Sequence, residues 1–230
     1  KINIVKRSFF LILISFFISA EDFKSWKAEF TFSHYEFGNF NMKRNFIMES
    51  KDNISSSFVL RPLIIFKYSQ NSSLSVTEDG IRSLLTEVEN NVPGVSPSYF
   101  KVKFEKNLTS SEELNIRIEG DKKILDQLGS DLQMRVNAKN GIKDFKLSVI
   151  DNDEGNVVER TYKTLGVEMV QTDFGEFECI KITATSLDSG KIIYFISPEL
   201  DFMIIKSFVE LRNGEINSLI LKDLPKFLGE

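Results

Sequence analysis

The chain has 230 residues, with 29 Lys or Arg, 33 Asp or Glu and a single His, which gives a formal charge of −4 at neutral pH. Such an acidic chain lacks the clustered basic surface that nucleic-acid binding needs, and simple charge does not attract it to anionic lipid. One cysteine and one histidine exclude an internal disulfide and the usual zinc and iron sites. We therefore expect no metal and no cofactor.

The first 20 residues have the pattern of an export leader. Three basic residues, an apolar run from Phe9 to Phe17 and a set of small residues lead to a predicted cleavage between Ala20 and Glu21. The apolar run is shorter than the roughly 20 residues that a membrane-spanning helix needs; the alternative is that the leader is kept as an anchor. Cleavage removes three basic and no acidic residues, so residues 21–230 carry a formal charge of −7. We expect one soluble, periplasmic, β-rich domain over residues 21–230, with no integral membrane span and no nucleic-acid partner.

The predicted domain begins with a β-hairpin. Trp26–Tyr35 and Phe40–Met48 each alternate apolar and polar residues, and Phe37–Asn39 forms the turn between them. Ile54–Leu60 is predicted as the third strand. The apolar stretch Leu63–Tyr68 fits either a strand or a short helix, because periodicity does not separate the two in so short a run.

The next strands lie on either side of a loop at Asn90–Ser98, which contains two prolines and a glycine. The first two of them form a hairpin around Glu78–Gly80. The predicted strands are Ser73–Thr77, Ile81–Val88, Tyr99–Phe104 and Leu114–Ile118.

One α-helix is predicted after these strands. Ser130–Gln133 has the spacing of a capping box, in which Ser bonds the amide of the third helical residue and Gln bonds back to the cap. Gly141 lies where a glycine commonly ends a helix. Residues 124–128 fit an earlier turn that breaks at Gly129. We expect the helix to lie across the sheet or to plug one end of a barrel.

Strands resume after the helix, and the clearest of them form a hairpin between Gly166 and Ser186. Its turn is predicted at Thr172–Gly175, where Asp and Gly suit the backbone. The second arm alternates between two faces, which predicts that one face is buried and the other exposed. The other strands are Lys143–Ile150, Asn156–Leu165, Lys191–Ile196, Phe202–Leu211 and Glu215–Leu221.

About a dozen strands with short turns and one helix predict an all-β fold. A meander of this length is expected to curl, since long open sheets twist strongly. The expected form is an antiparallel meander curled into a closed or half-open β-barrel, with the helix packed on it or in it.

The sequence offers few groups for catalysis. The glycine-rich phosphate loop, the nucleophile elbow and the dinucleotide fingerprint are all missing. Any Ser-His-Asp arrangement would depend on His34 alone, and a packed or surface position is the simpler interpretation of this residue. We predict that the protein is not an enzyme; a hydrolase acting through two carboxylates is the remaining enzymatic alternative.

Three residues are candidates for contact with a ligand. Arg135 lies among apolar residues of the helix, and Glu168 lies between Val167 and Met169 in a strand. Burial of either charge requires a partner, and the alternative for both is exposure on a solvated face. Trp26, on the apolar face of the first strand, is the third candidate.

Phenylalanine accounts for 21 residues, many of them in strands that are apolar on both faces. One interpretation is a large core filled by side chains and by the helix. The other is a barrel whose interior is partly open to an apolar ligand.

The chain resembles the bacterial envelope family known as domain of unknown function 3108. The similarity lies in the helix segment Gly129–Gly141, in Glu159–Ile182 and in Ser189–Lys206, together with the pairing of Trp26–Tyr35 with Phe40–Met48. The resemblance implies a periplasmic, mostly antiparallel β protein with a helix against the sheet. It implies no established activity, cofactor or catalytic residue.

Two functions from different classes follow as hypotheses. The first is a periplasmic binding or carrier module for an apolar or lipid-like ligand, held between the curved sheet and the helix. The second is a structural or assembly factor that binds an envelope protein through a sheet edge or an exposed patch.

Overall fold

The computed structural model describes residues 23–62, 66–92, 98–152, 155–186, 190–211 and 213–229. The predicted leader and its cleavage site at Ala20 and Glu21 lie outside these residues. The undecided stretch Leu63–Tyr68 ends in a strand that begins at Lys67, and residues 63–65 lie outside the described part of the chain.

The described residues contain sixteen strands, one α-helix, α1 (Gln127–Lys139), and one 3₁₀ turn at Pro198–Leu200. The strands are β1 (Trp26–His34), β2 (Gly38–Ser50), β3 (Asn53–Leu60), β4 (Lys67–Thr77), β5 (Gly80–Asn91), β6 (Ser98–Glu105), β7 (Leu108–Ser111), β8 (Ile116–Glu119), β9 (Ile124–Leu125), β10 (Asp144–Ile150), β11 (Val157–Thr172), β12 (Gly175–Thr185), β13 (Lys191–Ser197), β14 (Met203–Glu210), β15 (Ile216–Leu221) and β16 (Lys226–Phe227).

All sixteen strands belong to one sheet. The chain runs outward from β1 to β8, crosses through α1, and returns from β9 to β15, which pairs with β1. The short strand β16 also pairs with β1. The pairs are antiparallel except for β9 with β10. The prediction of an all-β meander with one α-helix is confirmed.

The helix α1 lies in the interior of this curved sheet. Every residue from Leu128 to Ala138 is buried. Leu128 and Leu132 belong to an apolar cluster that includes residues of β1 to β5, whereas Met134 and Ala138 belong to a second cluster with residues of β11 to β14. Because opposite sides of the helix contact opposite halves of the sheet, the sheet wraps around α1.

The two edges of the sheet meet by side-chain packing. Ile116 and Ile118 of β8 lie in one apolar cluster with Ile124 of β9 and Ile150 of β10, although β8 and β9 are the two ends of the hydrogen-bonded path. The barrel is therefore half-open, which is the second of the two predicted forms.

The N-terminus of the helix differs from the prediction. α1 begins at Gln127, and its cap is Asp126, whose Oδ1 accepts the backbone N–H groups of Leu128 at 2.8 Å and Gly129 at 3.0 Å. Ser130 lies inside the first turn, where its hydroxyl donates to the carbonyl of Gln127 at 2.8 Å. The capping-box prediction was wrong because Asp is as good a cap as Ser, and here the upstream candidate takes the role.

Gly129 lets the helix approach the sheet and does not break it, contrary to the prediction. A Cβ at this position would lie 2.6 Å from the Oγ of Ser83 and 3.3 Å from Cδ2 of Leu74. Ser83 is fully buried, and its Oγ accepts the N–H of Asp126 at 3.0 Å. The hydroxyl therefore cannot turn away without losing that hydrogen bond, and the contact between α1 and β5 requires glycine.

The helix ends at Lys139, and Gly141 lies at the C′ position beyond it, as predicted. Gly141 has φ +69°, a conformation that glycine adopts without strain. Its N–H donates to the carbonyl of Ala138 at 3.1 Å, and the N–H of Ile142 donates to the carbonyl of Asn137 at 2.9 Å. These two bonds form a Schellman motif.

β11 and β12 form the predicted hairpin, but part of β12 is buried on both faces. Ile182 packs with Met134 of α1 on one face, whereas Cys179 on the other face lies in the same cluster as Leu200 of the 3₁₀ turn. The prediction of one exposed face was wrong for this part of the strand because the 3₁₀ turn covers it. Burial raises the pKa of the Cys179 thiol to about 12, so the thiol is not ionised at neutral pH.

We expect Gly129→Ala to destabilise the protein, although the same change in an exposed helix interior stabilises by roughly 1 kcal/mol. The added methyl group overlaps the Oγ of Ser83, and overpacking of this kind costs roughly 1–3 kcal/mol. Urea unfolding measures the difference. In a Ser83→Ala background the same substitution should cost less; an equal cost in both backgrounds would contradict the overlap.

Burial raises the pKa of the Asp126 carboxyl above its usual value, in spite of the hydrogen bonds that it accepts. As the pH rises from about 4, the Asp126 carboxyl therefore loses its proton in the unfolded chain before it does so in the folded protein. The free energy of unfolding of the wild type falls over this range, until the pH reaches the raised pKa of the folded state. Asp126→Asn does not titrate, so the free energy of unfolding of the wild type relative to this variant should fall as the pH rises through that window. Urea unfolding at several pH values measures it, and a difference independent of pH would refute the assignment.

Candidate functional site

One end of the barrel contains a large cavity. Consecutive antiparallel strands reverse direction, so alternate loops lie at the same end of the sheet. The loops after β1, β3, β5, β10, β12 and β14 share this end, and we call it the mouth. Each of them contributes to the lining of a cavity of about 850 Å³, through Phe37, Pro62, Val92, Asn152, Gly190 and Leu211 respectively.

The walls of the cavity are mostly apolar. They are formed by inward-facing residues of strands on both halves of the sheet, because alternate residues of a strand point to the same face. The apolar wall residues are Phe32, Phe40, Met42, Phe58, Leu60, Ile192, Val209 and Leu219.

The floor of the cavity is the N-terminal turn of α1 together with a charged residue of β2. Arg44 and Asp131 both line the cavity, and their Nη2 and Oδ2 atoms are 3.0 Å apart. Their side chains are only 10% and 11% exposed. Separating an ion pair this deeply buried is unfavourable, because each charge would then lie in the protein interior without a partner.

A second buried guanidinium extends this polar floor. Nη1 of Arg160 donates to Oε1 of Gln127 at 2.6 Å, and Nε2 of Gln127 donates to Oδ1 of Asp131 at 3.1 Å. Nη2 of Arg160 also lies 3.8 Å from Oδ2 of Asp151. Arg160, Gln127, Asp131 and Arg44 therefore form a continuous chain of polar contacts, which we call the floor network.

A polar side wall lies next to the floor network. Nδ2 of Asn152 donates to Oε1 of Gln70 at 2.8 Å and to the hydroxyl of Tyr68 at 3.2 Å. Gln70 in turn donates to the helix cap Asp126 at 3.0 Å. Asn90 lies directly across the strand pair from Tyr68 and also lines the cavity. The side wall thus connects the mouth loop at Asn152 to the start of α1.

His34 fixes the shape of one lip of the mouth. Its Nδ1 accepts the backbone N–H groups of Glu36 at 3.2 Å and Phe37 at 3.4 Å. Its ring stacks on Tyr35 and Phe37, with centroid distances of 4.7 and 4.8 Å. These contacts hold the β1–β2 turn, so the structure gives His34 a packing role at the cavity rim.

The predicted ligand contacts Arg135 and Trp26 lie together, but neither lines the large cavity. The guanidinium of Arg135 is 4.5 Å from the ring centroid of Phe23 and 5.9 Å from that of Trp26. It donates to the carbonyl oxygens of Asp201 and Phe202, each at 3.0 Å. Burial lowers the pKa of Arg135 to about 10, so it remains protonated at neutral pH. These contacts tie the C-terminal half of α1 to the turn before β14.

The third predicted contact, Glu168, lies elsewhere. Its Oε2 is 2.8 Å from Nζ of Lys181, and half of its side chain is exposed. It is absent from the cavity lining. The structure therefore brings none of the three predicted residues into the cavity.

Sequence reasoning missed the two arginines that do line it. Arg44 interrupts the inward-facing series Phe40, Met42, Phe46 of β2, and Arg160 lies between Val158 and Tyr162 on the inward face of β11. A charge at an apolar position of the alternation is the same signal that drew attention to Arg135. That signal was available for both residues.

Within the described ranges no three side chains of His, Cys, Asp or Glu are grouped so that they could hold a metal ion. In the same part of the chain no helix has the length and apolar character needed to cross a bilayer.

Comparison with known proteins supports the fold. A crystal structure of a β-barrel-like protein of the domain of unknown function DUF1849, from Brucella abortus, is similar with a TM-score of 0.62 and 13% sequence identity. The match covers 90% of this chain and 99% of that protein. No family model and no curated protein matches the chain, so the resemblance to domain of unknown function 3108 stays a prediction. The comparison shows a shared barrel-like architecture.

Asp131→Asn should destabilise the protein by roughly 3–5 kcal/mol, because it leaves the buried charge of Arg44 without its carboxylate. The double variant Arg44→Met with Asp131→Asn should cost less than Asp131→Asn alone, since both charges are then removed. Urea unfolding measures all three variants. Glu159→Gln, which breaks the exposed pair with Lys146, is the control and should have little effect. Additive costs in the double variant would contradict the coupling.

Proposed function

We propose that this protein is a non-enzymatic binding or carrier module that holds a largely apolar small molecule in the cavity. The observation that carries the proposal is the cavity itself, about 850 Å³ enclosed mainly by apolar side chains. Sites for small ligands typically measure roughly 300–1,000 Å³ and combine apolar walls with a few convergent polar groups. The walls and the floor network have this composition.

The position of the helix supports the proposal. A helix inside a barrel can fill the interior completely, which would leave only a packed core. Here Gln127 and Leu128 at the N-terminal turn of α1 form the floor of the cavity, so the helix occupies the barrel only below that point. The phenylalanines above it face a space that other side chains do not fill.

The mouth offers a route for an apolar molecule. Tyr35 and Phe37 at the β1–β2 turn are 45% and 47% exposed, and Phe37 also lines the cavity. Exposed apolar surface is common at sites where ligands bind. A ligand leaving water meets this aromatic lip first and then the apolar walls.

The proposed place of action is the bacterial periplasm. The support is the leader pattern of residues 1–20 and the resemblance to an envelope family, both of which are features of the sequence. A carrier for apolar molecules also suits a compartment that separates two membranes.

A structural or assembly factor is the second candidate function, and one surface feature favours it. Leu165, Val167 and Met169 on β11 are 52%, 62% and 53% exposed. Single exposed apolar residues are ordinary, but neighbours on one strand form a patch suited to protein contact. An apolar ligand that copurifies with the protein favours the first function. A protein crosslinked through Val167, with no copurifying ligand, favours the second.

The carboxylate-dependent hydrolase gains no support from the cavity. In the described part of the chain two carboxylates line it, those of Asp131 and Asp151. Both oxygens of Asp131 accept hydrogen bonds, from Arg44 and from Gln127. Asp131 is thereby committed to the floor network and is a poor general acid.

The uncharged fluorescent probe N-phenyl-1-naphthylamine should bind the purified protein saturably. Val209→Trp should weaken this binding at least about tenfold, because the larger side chain fills part of the cavity. Glu210→Trp is the matched control, since the neighbouring residue points to the other face and is exposed; it should bind the probe as the wild type does. Fluorescence titration measures all three proteins. Equal binding by Val209→Trp and wild type would show that the probe does not occupy the cavity.

A further inference from the structure

Three residues that line the cavity have buried polar atoms without a partner. In the described part of the chain, Nε of Arg160 and Oδ1 of both Asn90 and Asn152 are buried without a hydrogen bond. All three residues line the cavity, and Arg160 and Asn90 are each 6% exposed. Buried polar groups in proteins are nearly always hydrogen-bonded, because an unpaired one costs roughly 1–3 kcal/mol.

These atoms lie along one side of the cavity. Arg160 lies 3.8 Å from Asp151, which is followed in the chain by Asn152. Asn152 bonds the hydroxyl of Tyr68, and Tyr68 pairs across the strands with Asn90. The three unpaired atoms therefore belong to one polar wall that starts at the floor and rises toward the mouth.

To satisfy the unpaired atoms of this wall, a ligand must supply one hydrogen-bond acceptor and at least two hydrogen-bond donors. Nε of Arg160 is a donor, whereas the two amide oxygens are acceptors. A carboxylate accepts but donates nothing, so it can satisfy Arg160 but neither asparagine. A hydroxyl group both donates and accepts, and a head with two hydroxyls can serve donor and acceptors together.

The charges of the cavity also favour an uncharged head. Among the residues that the structure describes, the charged ones that line it are Arg44, Arg160, Asp131 and Asp151. Arg44 pairs with Asp131 at 3.0 Å and Arg160 with Asp151 at 3.8 Å, so their formal charges cancel. An anion taken out of water into this site would meet no surplus positive charge from the described lining residues, and burial of an uncompensated charge is strongly unfavourable.

We propose that the ligand is a single-chain amphiphile with an uncharged, hydroxylated head, of the chemical class of the monoacylglycerols. This inference rests on the proposed function. The hydroxyls of the head bind Arg160, Asn90 and Asn152, and the acyl chain lies along the apolar walls.

The volume fits one acyl chain. At roughly 30 Å³ for each water-sized group, a cavity of about 850 Å³ holds about 28 of them. A monoacylglycerol with an 18-carbon chain has about 25 heavy atoms of similar size, whereas a phospholipid with two such chains has about 50. A two-chain lipid would have to leave much of its surface in water.

Three ligands with the same acyl chain test the head. Each competes with N-phenyl-1-naphthylamine for the purified protein, below the concentration at which the lipids aggregate. We expect 1-monooleoylglycerol to displace the probe at roughly tenfold lower concentration than methyl oleate, which lacks hydroxyls, and than sodium oleate, which is an anion. Stronger displacement by oleate would overturn the proposal in favour of an anionic head. Equal displacement by all three would show that the head is not recognised.

A side-chain variant tests the wall. Asn90→Leu should reduce the preference for 1-monooleoylglycerol over methyl oleate by about fivefold, because it removes one acceptor of the head. Asn41→Leu, at an exposed position of β2, should leave the preference unchanged. An unchanged preference in Asn90→Leu would overturn the assigned wall. The ranking of ligands on the wild type stands whether or not this variant folds, which thermal unfolding checks.

The outcomes separate this inference from the proposed function. If the probe binds in the cavity but the three lipids compete equally, the cavity function stands and the hydroxylated head is rejected. If the wild type binds neither probe nor lipid, the proposed function itself fails.

Discussion

A helix surrounded by a sheet must find partners in that sheet for its own polar side chains, and this requirement organises the whole fold. Asp131 is bonded to Arg44 of β2, and Oε1 of Gln133 accepts the N–H of Ile81 of β5 at 2.8 Å. Arg135 donates to carbonyls at the turn before β14. Each unmade bond would cost roughly 1–3 kcal/mol. Together these bonds fix both the rotation of α1 and its depth in the barrel.

The fixed depth of the helix explains why a cavity exists and where it lies. α1 has 13 residues and is therefore about 20 Å long. β2 also has 13 residues but extends about 43 Å, since a strand rises more than twice as far per residue. Even with the tilt of the strands, the helix cannot fill the interior from end to end. The cap at Asp126 holds the N-terminus below the mouth, and the remaining length of barrel is the cavity.

Local sequence patterns predicted those parts of the structure that depend on near neighbours. Alternation located most strands, and Gly141 correctly marked the end of the helix because its left-handed conformation is a local requirement. For Arg135 the sequence left paired burial and exposure both open, since a charge among apolar residues either pairs or stays in water, and the structure shows paired burial. The predicted start of the helix at Ser130 was wrong because a second capping residue lies four positions earlier, and hydrogen bonds from β4 to Asp126 select that residue.

The cavity could not be predicted in the same way, because it depends on contacts between distant parts of the chain. Arg44 and Asp131 are 87 residues apart, and Arg160 and Gln127 are 33 apart. The pattern of each strand shows that an arginine interrupts an apolar face, but not which carboxylate or amide it will meet. The size of the cavity is even harder to predict from the sequence, since it depends on the difference between the length of the helix and the length of the sheet around it.

Stability alone does not account for the polar floor. Replacing a buried ion pair by apolar residues of similar volume is often neutral or stabilising. An apolar floor would therefore give a protein of similar or greater stability. The floor network instead places two guanidinium groups next to the apolar walls, each with a carboxylate that cancels its charge. This arrangement supplies hydrogen bonds without a net charge. In the proposed binding site such a floor distinguishes one end of an amphiphile from the other, and an entirely apolar cavity cannot orient its ligand in this way.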